Sequence, residues 1–232
     1  MRKRAAGYAR DMSDFFDVPA PPEHPDHSMA RYKQPDWAGA PDNYLPALVP
    51  IEVTIGRSEN AVVHISAIRA YPAGWSFSLD MMTESSSDSP WDDPSEMMMH
   101  RHHMMGMHAK QEALPDELMR FGFEFPDGTK VTSVGFGFGS HDADGRPSSP
   151  VLMQGGGGGG GGNWQSDYWC WPIPTEGMLK IVCEWPAKGI KETITEIDTG
   201  AIREASGRSE KLWADAPDPP EGSGEGVSVN VW

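Results

Sequence analysis

The sequence predicts an all-β fold: an immunoglobulin-like sandwich of two antiparallel sheets, with one short C-terminal helix and irregular terminal arms. Three observations predict it. GWSFSLDM (74–81) alternates strictly, with Trp75, Phe77 and Leu79 on one face and Ser76, Ser78 and Asp80 on the other. In LMRFGFEFPDGTKVTSV (118–134), Phe121, Phe123 and Phe125 share a face, PDG turns the chain and TKVTSV returns as a hairpin. Eight candidate strands stand beside one short helix of the body, TGAIREAS (199–206). Period-two alternation with one polar face marks a strand that is buried on one side and wet on the other.

In chain order, residues 1–45 contain APPEHPDH, KQPDW and GAPDN, with prolines too close for a helix or a central strand. They read as an irregular arm, which Phe15, Phe16, Tyr32, Trp37 and Tyr44 anchor to a body. The body spans 46–213. VPIEVTI (49–55) opens it, and AVVHISAIRAY (61–71) sets Val63, Ile65 and Ala67 against Val62, His64 and Ser66. PAG (72–74) turns the chain into GWSFSLDM. A loop at 83–113, rich in Met and His, leads to the phenylalanine hairpin.

An irregular stretch, 135–154, runs into eight glycines at 155–162, which read as a loop, a flexible or extended connector. NWQSDYWCWPI (163–173) and MLKIVCEWP (178–186) read as a second hairpin about PTEG, with Cys170 and Cys183 on adjacent strands as free thiols packed like small hydrophobes. KETITEID (191–198) is the last strand of the body, and the helix takes Asp198 or Thr199 as cap and Gly207 as stop. An acidic linker occupies the start of 214–232, and GVSVNVW after it has the pattern of an edge strand. Its interaction candidates are Val227, Val229, Val231 and Trp232.

Charge narrows the function classes. With 34 acidic residues against 19 basic ones and a net charge of -15, the chain repels phosphate backbones and anionic lipid, so neither nucleic acid nor membrane is an expected partner. No apolar stretch approaches the ~20 residues of a membrane span. The charged N-terminal stretch has no apolar core behind it, so a cytoplasmic protein is expected.

Motif chemistry is sparse. The sequence has no G-x-S-x-G elbow and no H-E-x-x-H pair, and no Lys-Ser/Thr follows the polyglycine to make a phosphate loop. His64 stands alone in its strand and reads as a hydrogen-bonded sheet histidine. His141, Asp142 and Asp144 lack the remaining oxygen ligands of a calcium loop and read as a polar turn. His24 and His27 have a zinc-like gap without a second pair, and two cysteines are too few for a cysteine zinc site. Trp164, Trp169, Trp171 and Trp185 are expected in the core rather than on a ligand platform.

The chemically densest stretch is SEMMMHRHHMMGMHAK (95–110), with six methionines and four histidines. On a helix, His100, Met104 and His108 would share a face, and thioether with imidazole suits Cu(I). Gly106 interrupts that helix and the flanks are loop-like, so the stretch reads as a variable loop or short surface helix. No cofactor is expected.

The hairpin 118–134, PVLMQGGGGGGGGNWQSDYWCWPIP (150–174), CEWPAKGIKETITEID (183–198) and HISAIRAYPAGWSFSLDM (64–81) together resemble a family of uncharacterised actinobacterial proteins. The resemblance covers roughly residues 50–200 and implies no activity. The expected function is therefore that of a non-catalytic sandwich working through a protein partner, or as a homo-oligomer or assembly component. The alternative is soft-metal (Cu) binding through 97–108.

Overall fold

In the computed structural model, residues 32–84, 114–134, 142, 146–148 and 150–218 are described. The six-stranded sheet contains β2 (Ala47–Leu48), β3 (Val53–Arg57), β4 (Ala61–Ala70), β5 (Trp75–Thr83), β8 (Val151–Gly160) and β9 (Asn163–Trp171). Its order is β2-β4-β5-β9-β8, with β3 also on β4. The four-stranded sheet is built from β6 (Arg120–Glu124), β7 (Lys130–Thr132), β10 (Met178–Trp185) and β11 (Ile190–Asp198), in the order β11-β10-β6-β7. β1 (Tyr44–Leu45) pairs with β12 (Glu210–Lys211), and the pairings throughout are antiparallel. The fold is all-β, and its two sheets face each other across one core.

Alternation builds that core. Trp75, Phe77, Leu79 and Met81 of β5, Phe121 and Phe123 of β6, and Leu179, Ile181, Cys183 and Trp185 of β10 are all buried. Phe77 stacks on Tyr168 of its own sheet at 5.4 Å and meets Phe123 of the opposite sheet edge-on at 5.5 Å. The PDG turn closes as expected, Phe125 donating its N–H to the Thr129 carbonyl with Gly128 at φ +84°. Across from this turn, Lys180 and Lys130 hydrogen-bond Glu124 and hold its carboxyl down to about 2.

Four expectations are corrected. Ala67 does not continue the inward face of β4. A bulge between Ser66 and Arg69 places it at φ 49° and hands the inward position to Ile68, 1% exposed. The strands around PTEG do not form a hairpin. β9 pairs with β5 and β8, and β10 with β6 and β11, so Cys170 and Cys183 lie in opposite sheets. Alternation is the same for a hairpin and for a corner that changes sheet; here the two prolines of PIPTEG, which lack an N–H for a ladder, carry the corner. The polyglycine is not a loop, because Gly155–Gly160 complete β8. The helix α1 (Gly200–Arg208) runs past Gly207.

The Asp198 carboxylate accepts the Gly200 N–H at 2.7 Å, while the Thr199 hydroxyl instead donates toward the carbonyls of Thr175 and Gly177. Ile202 and Ala205 are buried in the core cluster. Of the N-terminal arm, Trp37 is 9% exposed and packs with Ala38 against Val151, and Lys211 sits over the Tyr44 ring. Phe15 and Phe16 lie outside the described residues. Among the described residues, no helix is long and apolar enough to cross a membrane.

Both cysteines are free and fully buried. Burial pushes both thiols up, Cys183 to about 12 with Glu184 adding to the effect. The native protein at pH 8 is expected to resist a thiol reagent, with two thiols counted after denaturation without reductant. Fast native labelling, or a count of zero, contradicts this packing.

Candidate functional site

The glycine half of β8 is positioned by a two-residue turn. Gly161 and Gly162 have φ of 62° and 87°, and Gly160 pairs with Asn163, which is the geometry of a type I′ hairpin. In such a hairpin the flanking pair exchanges both hydrogen bonds, and pairs then alternate along the ladder. Gly160 and Gly158 therefore point their N–H and C=O groups at β9. Gly159 and Gly157 point theirs away from it, at the free edge. Among the described residues β8 pairs only with β9, so this edge of the six-stranded sheet is open.

Glycine serves two purposes here. A Cβ on Gly159 would run into the Asn163 carbonyl oxygen, and one on Gly157 would lie 2.8 Å from that of Gln165, so the two strands approach too closely for side chains. At Gly158 and Gly160 a Cβ would meet nothing. All of Gly155–Gly160 are exposed. The result is a strand edge without side chains to screen it. Charges, prolines and covering loops ordinarily blunt such edges. Among the described residues, the only such device on β8 is a bulge between Gln154 and Gly157.

Beside this edge, the outer face of the sheet divides in two. One half is a polar ladder running across the strands. Asp80 accepts hydrogen bonds from Ser66 and Gln165, both at 2.6 Å, and Asp167 accepts one from Ser78 at 2.6 Å. His64 lies opposite Asp80 in register, but its Nδ1 is 3.3 Å from the Thr54 hydroxyl. Both serines thus donate to carboxylates, a ladder that fixes the face rather than activating a nucleophile. The other half is apolar and covered: Trp169 donates its indole N–H to the Trp37 carbonyl at 3.1 Å, and Trp171 and Met153 pack on Trp37, Ala38 and Val151. At the hairpin end an open depression of about 570 Å³ is walled by Met82, Gly158, Gly160, Trp164 and Gln165.

Most sequence candidates fall away from this edge. His100, Met104 and His108 lie outside the described residues, as do Val227, Val229, Val231 and Trp232, and His24, His27, His141 and Asp144. Asp142 accepts the Arg146 N–H at 2.8 Å, the hydrogen bond of a polar turn. Trp185 is core at 1% exposed, Trp169 is buried beneath the arm, and Trp164 is half-buried at the sheet margin. Among the described residues, no group of three or more His, Cys, Asp or Glu is placed to hold a metal. The β8 edge escaped the sequence reading because glycine carries no alternation. The positive signal was the length of the run directly before NWQSDYW. No family model, curated protein or solved structure matches the chain.

The two glycine faces predict opposite outcomes for one substitution. Gly159→Ala forces a methyl onto a backbone oxygen and is expected to cost ~1–3 kcal/mol. Gly158→Ala, pointing into open space, is expected to be neutral or to stabilise by ~0.4–1 kcal/mol through the unfolded state. Urea midpoints of the two variants provide the comparison. Equal effects would mean that β8 is not paired in this register.

Proposed function

We propose that the protein is a non-catalytic, cytoplasmic interaction protein whose open β8 edge takes an extended segment of a protein partner as a further strand. The observation that carries this reading is the pair of backbone units at Gly157 and Gly159 that face away from β9, on a strand stretch without side chains of its own and unpaired at that edge among the described residues. Each main-chain hydrogen bond gained there contributes ~0.5–1.5 kcal/mol, and such recognition asks for an extended backbone more than for particular side chains. Selectivity then comes from what flanks the edge. The net charge of -15 favours basic flanks on the partner strand and quickens its approach. Two free, buried thiols fit a reducing compartment. Membership of the actinobacterial family is part of the same proposal and rests on the segments quoted above.

The test is residue-resolved NMR on the full chain, titrated with an eight-residue peptide of alternating Val and Thr carrying lysines at both ends. Shifts concentrated on the amides of Gly155–Gly160 and the indole of Trp164 are expected. Binding mapped elsewhere, or no shift at millimolar peptide, would remove the reading.

A further inference from the structure

From the outer face of the four-stranded sheet we infer that the protein pairs there with a second copy of itself. The two-fold axis runs parallel to the strands, midway between β10 and β6. This goes beyond the strand-acceptor reading and does not rest on it, because β8 belongs to the other sheet.

Register arranges the side chains of this face in rows. Ile181, Phe123 and Val131 point into the core, so their neighbours along each strand point outward. One outward row runs Glu196, Lys180, Glu124, Lys130 across β11, β10, β6 and β7. The next runs Ile194, Val182, Gly122, Thr132. In the third, Glu184 of β10 stands beside Arg120 of β6.

Each row, turned end for end, is its own complement. Reversal sets Glu196 against Lys130 of the second copy and Lys180 against its Glu124, so all four positions meet an opposite charge. The third row does the same with Glu184 and Arg120. The middle row is graded by size: Ile194 and Val182 project, whereas Gly122 has no side chain and lies buried at the floor of the face. Reversal seats Val182 over Gly122 of the second copy and Ile194 over its Thr132. The charges are fixed before the copies meet, since Lys180 and Lys130 hold Glu124 at 2.8 and 2.9 Å and Arg120 holds Glu184 at 2.8 Å.

Two properties suit this face to a copy rather than to another protein. A net charge of -15 makes two copies repel each other, yet in these rows Glu196, Glu124 and Glu184 are balanced by Lys180, Lys130 and Arg120. Ile194, 62% exposed, gains the apolar cover that the single chain leaves off it. The rows make a face only about 15 Å across. That is well under the ~800 Å² per partner of a standard interface, so the pair is weak and forms at high concentration. It leaves both β8 edges free, so a dimer offers two strand acceptors at once.

The experiment is sedimentation velocity from micromolar to millimolar concentration on the full chain, on Glu196→Lys, on Lys130→Glu, and on an equimolar mixture of the two variants. Glu196 and Lys130 stand at opposite edges of the sheet, about 15 Å apart, so they meet only between copies. The native chain should pass from monomer to dimer. Each variant alone sets two like-charge contacts in the pair and should dimerise at least about tenfold more weakly. The mixture should return to near the native value, because each variant then supplies the charge that the other lacks. In a sample of labelled and unlabelled native chains, isotope-filtered NMR should connect the Ile194 and Thr132 methyl groups. A monomer at every concentration overturns the inference, as does a mixture that dimerises no better than its components. A dimer indifferent to both reversals, with shifts at Gly157 and Gly159 instead, overturns it in favour of pairing through the β8 edge.

Discussion

The structure depends on the aromatic contact between its two sheets. Trp75 and Phe77 of β5 meet Phe121 and Phe123 of β6 at centroid distances of 5.2 to 6.1 Å, in edge-on geometries that favour such pairs beyond their area burial. Tyr168 stacks on Phe77 and stands edge-on to Phe121, locking β9 into the same cluster. These five rings fix the distance and registration of the sheets, and every other strand is placed relative to them. At the opposite edge, the Thr193 hydroxyl of β11 lies within hydrogen-bond reach of the Ile55 and Cys183 carbonyls, tying β3 to the four-stranded sheet.

Because the inward faces are consumed by this packing, recognition is left to edges and outer faces. Two of these are already occupied within the chain. The apolar half of the outer face is covered by Trp37, and helix α1 buries Ile202 and Ala205, with Ser206 donating to the Tyr71 carbonyl at 2.9 Å. The glycine edge of β8 differs in kind. Its pairing to β9 is so close that side chains are excluded at Gly157 and Gly159, and among the described residues no strand pairs with its other edge.

Legibility in the sequence followed side-chain alternation. Trp75, Phe77 and Leu79, and the row Phe121, Phe123, Phe125, were readable because each inward position carries an apolar group against a polar neighbour. Ala67 misled because a bulge changes the phase of β4 without changing its composition. The PIPTEG corner misled because two strands on opposite walls of one core alternate like a hairpin. β8 was invisible for the most direct reason: a residue with no side chain has no face to declare, and its strand exists through its neighbour's backbone. Of the candidate site, Trp164 is legible in the sequence only as one of four tryptophans expected in the core, and Gly157 and Gly159 only as members of a run.

The central claim, that the glycine run is a strand in fixed register on β9, is tested most directly by through-space proton contacts in solution. Gly159 and Trp164 form a non-hydrogen-bonded antiparallel pair, so their Cα atoms should lie about 4.5 Å apart and their α-protons closer still. A strong α–α cross-peak between Gly159 and Trp164, with the next such contact between Gly157 and Ser166, is the predicted result. Glycine shifts at random-coil values with no contact to β9 would contradict it.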